Sequence, residues 1–369
     1  MGGFQHERGR ILYTRNVTRA PEGLIKNGSP VFGTFADVPE NLDIRGVRRP
    51  FASVPLPPII TNGAIRSNLT CMFNTGRLVC SVDLFSAFFF SFAEIVFWDQ
   101  GTHKKSAYRT VVGPKSRFIP RNLHKGAVVN FNRRRKFRLS WDRKRGYFSF
   151  VCKLRGDALR PDVQGAFSAN LRAPSFGEVC CVLPAPVMRR CRAVYKASAP
   201  IKGTFGFTSN RRNPGQKDAV SFSGGIVLYD LHRAYYKFRT RNEYAYGIGQ
   251  TGGREIAFSL VATSLESVNP EEYNENFLFV DGKTTFLPPI RITYPFGITD
   301  KWVIQDTESM VDLSFTPQAV HTRNHSLFVL SARYYLIFGT FTGALLTQDG
   351  SEIALKDFPG IVKKHFLRL

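Results

Sequence analysis

The stretch NFNRRRKFRLSWDRKRGYF, Asn130–Phe148, decides how this chain is read. It packs arginine and lysine among aromatics, so it is either a nucleic-acid-binding arm or a very basic β-hairpin. Phe137, Leu139 and Trp141 alternate with Lys136, Arg138 and Ser140. A period of two sends the apolar three to one face of a strand and the cations to the other. DRKRG (Asp142–Gly146) supplies a turn, and YFSFVCKL (Tyr147–Leu154) begins the return strand. The stretch is read as a hairpin with outward cations, which leaves charge contact with a partner rather than base stacking.

The same signals recur outward from it. AVSFSGGIVLYDL (Ala219–Leu231) carries Gly224-Gly225 and reads as a hairpin. Asp281-Gly282 and Asp349-Gly350 are turn pairs between alternating runs. LVCSVDLFSAFFFSFAEIVFW (Leu78–Trp98) is apolar enough to suggest a membrane span, but Asp83 and Glu94 argue for two successive buried strands. Phe88, Phe89 and Phe90 place apolar groups on both faces of the second. The Pro-rich PFASVPLPPIITNG (Pro50–Gly63) reads as an extended covering loop, and only PGIVKKHFLRL (Pro359–Leu369) reads as helical. With 33 phenylalanines, 31 glycines and 21 prolines the chain is expected to be mainly β with few helices. Its 369 residues are enough for two domains, divided at the proline-bearing region as 1–190 and 191–369.

Charge is uneven. Residues 1–155 hold 27 basic and 9 acidic residues, whereas 255–369 hold 9 basic and 13 acidic. Residues 103–155 alone hold 17 basic residues against one acid, Asp142. Such a field favours polyanions. The residues expected to meet one are Arg133, Arg134, Arg135, Lys136, Arg138, Arg143, Lys144 and Arg145. The six cysteines form no CxxC pair and read as buried free thiols, which suits a reducing intracellular compartment, with cytoplasm or cytoskeleton favoured and a mitochondrion as the alternative.

Catalytic signatures are absent: no Gly-x-Ser-x-Gly, phosphate loop or His-Glu-x-x-His occurs. GIGQTGG (Gly247–Gly253) lacks the strand–turn–helix context of a dinucleotide loop. No metal and no cofactor is expected. His321 and His325 read as solvated, and Glu271–Glu275 as a solvated acidic loop. Asp230, His232, Arg233, Glu243, Tyr244 and Tyr246 form the candidate ligand pocket, with turn stabilisation and strand-end packing as the alternative roles.

From Gly203 onward an ordered set of motifs resembles the domain-of-unknown-function family twenty-eight-oh-four. It runs through GFTSNRRN, SFSGGIVLYDLHRAYYKFRTRNEYAYGIGQ, ENFLFVDG, VDLSFTP, FGTFTG and DGSEIALKDFPG. GSPVFGTF, FWDQGT and GAVVNF fit the family's first half more loosely. The resemblance implies two consecutive antiparallel lipocalin-like β-barrels or half-barrels, akin to carotenoid hydratase-like and survival-factor-like proteins, and an apolar cavity. It carries over no catalytic residues. The chain departs from the family pattern in having Tyr244 and Tyr246 where Trp-x-Trp is usual, and His232 and Ala234 around Arg233.

Two functions follow. The first is a non-enzymatic structural or adaptor protein whose basic half docks on a large polyanionic assembly, a ribonucleoprotein or an acidic surface such as tubulin. The second is a carrier of, or a hydratase-like enzyme on, an apolar lipid or isoprenoid held in a barrel.

Overall fold

The computed structural model describes residues 12–368 apart from 52–54, 88–90, 113–117, 186–189, 209–216, 237–238, 263–266 and 328–329. The run Phe88–Phe90 therefore lies outside the described residues.

Four short strands open the chain: β1 (Val17–Thr18), β2 (Ile25–Lys26), β3 (Ser29–Pro30) and β4 (Gly33–Phe35). One helix, α1 (Pro58–Gly63), follows. It corrects the reading of the Pro-rich stretch as wholly extended: Pro58 stands at the start of the helix, where a missing N–H costs nothing. Then come β5 (Ile65–Asn74), β6 (Leu78–Ser86), β7 (Ser91–Asp99), β8 (Lys105–Val112), β9 (Lys125–Asn132), β10 (Arg135–Asp142), β11 (Tyr147–Leu154), β12 (Asp162–Asn170), β13 (Gly177–Pro184), β14 (Cys191–Thr208) and β15 (Lys217–Tyr235). The main path of their sheet is β8-β7-β6-β5-β15-β14-β12-β11-β10-β9. It curls until its ends approach, where Tyr108 of β8 donates to the Pro161 carbonyl and Arg135 of β10 lies over the Tyr108 ring. This first barrel is nearly closed.

The second sheet uses β16 (Arg239–Thr251), β17 (Arg254–Val261), β18 (Phe277–Val280), β19 (Lys283–Phe286), β20 (Ile290–Thr293), β21 (Trp302–Asp306), β22 (Val311–Leu327), β23 (Leu330–Leu346) and β24 (Glu352–Arg368). Its order is β19-β18-β17-β16-β24-β23-β22-β21-β20, a curled half-barrel whose two edges are neighbours in sequence. The mainly β, two-barrel architecture expected from the sequence is what the chain adopts. In the pairing, β14 and β15 belong to the first sheet, so the change of sheet falls between Tyr235 and Arg239 rather than near residue 190.

The Asn130–Phe148 hairpin is present. Phe137, Leu139 and Trp141 face the core, paired with Cys152, Phe150 and Phe148 of β11. Asp281 and Gly282 both adopt positive φ and join β18 to β19, as a two-residue turn requires. GIGQTGG is strand β16 running into the Gly252-Gly253 turn, with no helix after it.

Two readings of local sequence need correction. Gly224-Gly225 is no hairpin turn but lies within the continuous strand β15, opposite the bulge between Ile201 and Gly203. A Cβ on Gly225 would stand 2.7 Å from the Asn74 carbonyl oxygen, so glycine lets β5 and β15 approach. The carboxy-terminal run is strand β24, because it is paired on both edges, by β16 and by β23, and this pairing overrides a weak helical pattern.

Phenylalanines cluster in the interior of the first barrel. Phe73 stacks on Phe205 at 5.2 Å and 12° and lies 5.0 Å from Phe167. The second barrel has its own core around Phe258, Phe315, Phe341 and Trp302. A third core lies between them, where Met72, Trp98 and Leu228 of the first sheet meet Tyr246, Phe279 and Phe338 of the second. The chain's start crosses this junction: Tyr13 packs in the second barrel and its hydroxyl donates to the Glu271 carbonyl, Arg15 donates to the Asn274 carbonyl at 2.8 Å, and β4 then pairs with β13 of the first sheet.

Phe73→Ala is expected to cost about 3–5 kcal/mol, since the surrounding rings cannot all move in to fill the void. The check is a lowered denaturant midpoint with an unchanged slope; an unaltered midpoint would place Phe73 outside the cooperative core.

Candidate functional site

Polar side chains concentrate in two places that the strand parity creates. Along β15, Ile226, Leu228, Asp230 and His232 face the second barrel, while Val227, Tyr229, Leu231 and Tyr235 face the interior of the first. One strand thus serves two polar environments.

The first is a buried charge layer between the barrels. Lys196 of β14 is 0% exposed and lies 3.2 Å from Asp230 and 3.4 Å from Glu275, each 1% exposed. Its ammonium also donates to Ser259 Oγ at 2.6 Å. Arg192 reaches Glu275 at 2.9 Å and donates to the Tyr244 hydroxyl at 3.0 Å. The Tyr246 hydroxyl donates to Asp230 at 2.9 Å. Further along, Lys363 of β24 pairs with Asp83 of β6, which also accepts from Tyr334 at 2.9 Å. Glu94 of β7 meets Arg323 at 2.6 Å, Arg109 at 2.9 Å and His321 at 3.2 Å. Burial alone would raise the Asp83 carboxyl, but the Lys363 and Arg323 charges outweigh it and hold it well below the usual carboxylate range. Burial, then Lys196, act on Asp230 in the same opposed way, and the net shift is again downward. Burial, assisted by the Arg192 charge, brings His232 down to about 4. His365, set between the Tyr244 and Tyr334 rings, is likewise lowered by burial.

The second place is a small apolar pocket at one end of the first barrel, with a volume of about 30 Å³. Trp141, Phe148 and Tyr195 surround Tyr229 with ring centroids 6.0, 5.4 and 5.8 Å away. The Tyr229 hydroxyl is buried and has no hydrogen-bond partner. Burial raises its phenol well above the ordinary range, so it stays neutral. Beside the pocket, Glu178 shares strand parity with Cys180 and Val182, which face this interior. Tyr195 donates to Glu178 at 2.8 Å, and both Arg143 terminal nitrogens fork onto the same carboxylate, one at 2.6 Å. A fork of this kind fixes a carboxylate in orientation.

The sequence-expected pocket residues divide accordingly. Asp230, His232, Tyr244 and Tyr246 come together in the inter-barrel layer, where Tyr244 and Tyr246 stack at 5.8 Å. Arg233 points the other way, to Ser67 and the Ile119 and Pro120 carbonyls. Glu243 lies apart with Arg241, Tyr294 and Lys364. Lys196, Lys363, Arg323 and Glu178, which complete these clusters, carry no local motif in the sequence. The solvated readings of His321 and Glu275 are corrected: both are drawn inward by charges on the opposing sheet. Of Glu275 the one available signal was its place immediately before the apolar run Phe277–Val280.

The basic residues are spread along the hairpin, and Arg133, Arg134 and Lys136 line one concavity. Arg133 and Arg134 occupy the β9–β10 turn, while Arg143, Lys144 and Arg145 lie in the turn at the other end of the eight-residue strand β10, roughly 25 Å away by the rise of a strand. Arg143 is committed to Glu178, and Arg135 is half-buried over Tyr108. Lys136 and Arg138 project outward between them, exposed.

Two packed antiparallel barrels with a polar junction define a tandem lipocalin-like protein. The chain belongs to the family described as Domain of unknown function (DUF2804), whose pattern matches residues 72–369. No curated protein matches it. Among solved structures it is similar to the crystal structure of CghA with Sch210972, at 11% identity and a TM-score of 0.47, covering 95% of this chain and 98% of that one. It is also similar to the crystal structure of CghA alone, at 11% identity and a TM-score of 0.45, over 83% of this chain and 88% of that one. A third is kievitone hydratase from Nectria haematococca, at 9% identity and a TM-score of 0.39, over 84% and 89%. The expected adaptor docked on a ribonucleoprotein or microtubule is corrected here. The cations that suggested docking are divided between two ends of a strand and partly consumed by internal pairing.

Among the described residues no helix is long and apolar enough to cross a membrane.

Two outcomes are expected of the charge layer. Lys196→Met strands two buried carboxylates and should cost about 3–5 kcal/mol, read by chemical denaturation. The pH profile should fall in two stages. His232 and His365 have lowered folded values, so between about pH 6.5 and 4 the unfolded chain binds protons that the folded chain refuses, and stability drops as pH falls through that window. Below about pH 4 the depressed Asp83 and Asp230 add a steeper loss. Melting temperatures of the wild type and His365→Phe across pH 3–8 test this; an unchanged first stage in the variant would remove His365 from the account.

Proposed function

We propose that the first barrel binds one end of an apolar, isoprenoid-like or aromatic molecule and adds water across a carbon–carbon double bond there. The observation that carries this reading is the carboxylate of Glu178, held by Arg143 and Tyr195 against an aromatic pocket that contains the unpartnered Tyr229 hydroxyl. A pocket of about 30 Å³ takes a water or a small terminal group. The aromatic walls suit the face of a planar or branched apolar ligand.

In the proposed reaction Glu178 accepts a proton from water as the oxygen bonds to one alkene carbon. The resulting carboxylic acid returns a proton to the other carbon, so the product has gained one water and Glu178 is regenerated. Arg143 holds the carboxylate in a fixed orientation at the start of the cycle. The neutral Tyr229 hydroxyl orients the water. The six cysteines take no part: all are buried and unpaired, which fits a reducing compartment.

The test uses prenyl alcohols from geraniol to geranylgeraniol. Binding is followed by quenching of tryptophan fluorescence, since Trp141 lines the pocket, and turnover by mass spectrometry for the gain of one water. Wild type should bind and hydrate a member of this series. Glu178→Gln should bind it and lose hydration by about 10²–10⁴-fold. Ala197→Phe, which fills the pocket, should lose binding while melting cooperatively. Binding with no turnover reduces the reading to a carrier, and no binding by any member overturns it.

A further inference from the structure

One end of the first barrel gathers five cations around a concavity of about 540 Å³. Arg133 and Arg134 come from the β9–β10 turn, Lys136 from β10, Lys153 from β11 and Arg155 from just beyond it, and all five are exposed. The Arg155 amide donates to the Arg134 carbonyl at 2.8 Å, which holds these two residues side by side. Lys136 and Lys153 are direct cross-strand partners, and Gln164 of β12 stands opposite Lys153 in turn. The one carboxylate in the walls is Asp162, at the start of β12, and it accepts from the Gly156 amide at 2.6 Å. Among the described residues none of the five cations has an ion-pair partner. Even with Asp162 counted in full against the group, four positive charges remain.

Lys136 and Lys153 point outward because their strand neighbours Phe137, Cys152 and Leu154 face the core. Like charges directly opposite one another weaken a sheet. A lysine pair with no acid between its members, backed by three arginines, is an arrangement that a bound anion relieves.

We infer that this concavity is a site for an oligophosphate group carrying three or more negative charges. The three guanidinium groups offer planar forks to phosphate oxygens, and the two ammonium groups add point charges. Gln164 and Thr208 supply neutral polar contacts. The volume falls within the range of small-ligand sites, about 300–1,000 Å³. A soluble oligophosphate and a phosphorylated lipid headgroup share this chemistry. The site lies at the opposite end of β10 from Arg143 and does not depend on the hydration reading.

Calorimetric titration of the full chain at constant ionic strength, with tripolyphosphate, inorganic phosphate and citrate as probes, tests the inference. Tripolyphosphate should bind at least about tenfold more tightly than inorganic phosphate, which carries fewer charges, and than citrate, which is a polyanion without phosphate oxygens. Phosphatidylcholine vesicles containing a phosphatidylinositol bisphosphate separate the two sources. Co-sedimentation that tripolyphosphate reverses assigns the site to a lipid headgroup; no co-sedimentation assigns it to a soluble ligand. Arg155→Gln and Lys153→Gln should each weaken tripolyphosphate by about tenfold. Lys144→Gln, in the turn at the far end of β10, should leave it unchanged. Lys153→Gln should also raise the melting temperature of the ligand-free protein, since the cross-strand repulsion is gone; a lowered one would remove the repulsion from which the site is inferred. Absence of tripolyphosphate binding at millimolar concentration, citrate binding as tightly, or binding indifferent to both Arg155→Gln and Lys153→Gln in folded protein overturns the site.

Discussion

The architecture depends on a layer of charge sealed between two sheets. Lys196 sits at its centre with no exposed surface, and its two carboxylate partners come from different barrels, Asp230 from the first and Glu275 from the second. Removing such groups from water is costly, and only a complete set of partners recovers the cost. The set is divided across the junction: Asp83 and Glu94 on one sheet await Lys363 and Arg323 on the other. Each barrel alone would therefore present unpaired charge on the face it uses for packing. Around this layer Trp98 and Phe338, 5.7 Å apart, together with Met72 and Phe279, supply the apolar contact that excludes water. A sliding of one sheet over the other by one residue would bring apolar groups opposite these charges, so the layer specifies a single docking register.

The same alternation that builds the junction builds the candidate site. Because β15 is covered on both faces, Asp230 and Tyr229 are sequence neighbours with unrelated surroundings, one ionic and one aromatic. Arg233, three residues on, lines a concavity beside α1. A lone strand with period two thus distributes three chemistries along its length, and its long partner β14 does likewise, with Tyr195 on one face and Lys196 on the other.

The β architecture was legible because it is written in local terms. Phe137, Leu139 and Trp141 alternate cleanly, and Asp281-Gly282 has only a few conformations open to it. The junction was only partly legible. Asp83 and Glu94 stood out as acids within an apolar run, yet their partners Lys363 and Arg323 lie more than two hundred residues away and look like ordinary strand cations. Asp230, His232, Tyr244 and Tyr246 are near in sequence and do cluster, whereas Arg233 and Glu243, chosen by the same proximity, face elsewhere because strand parity separates neighbours. Glu178 and Arg143 were unreadable as a pair, since nothing in either segment records that β13 passes the β10–β11 turn. The basic hairpin misled for a related reason: charge counts add residues along a strand, but the strand sends its two ends far apart.

The placement of Tyr13 and Arg15 sets a constraint on the order in which the protein can be made. Glu271 and Asn274, which receive their hydrogen bonds, are synthesised 258 and 259 residues later. β5 likewise waits for β15 before the first barrel can curl shut. Closing loops of this length is entropically expensive and slow, and such pairings dominate both sheets. The amino-terminal segment is in this sense a clasp, threaded early and fastened late: it joins the two barrels only after the second has formed the surface that receives it, and until then the apolar faces at the junction stand open to other chains.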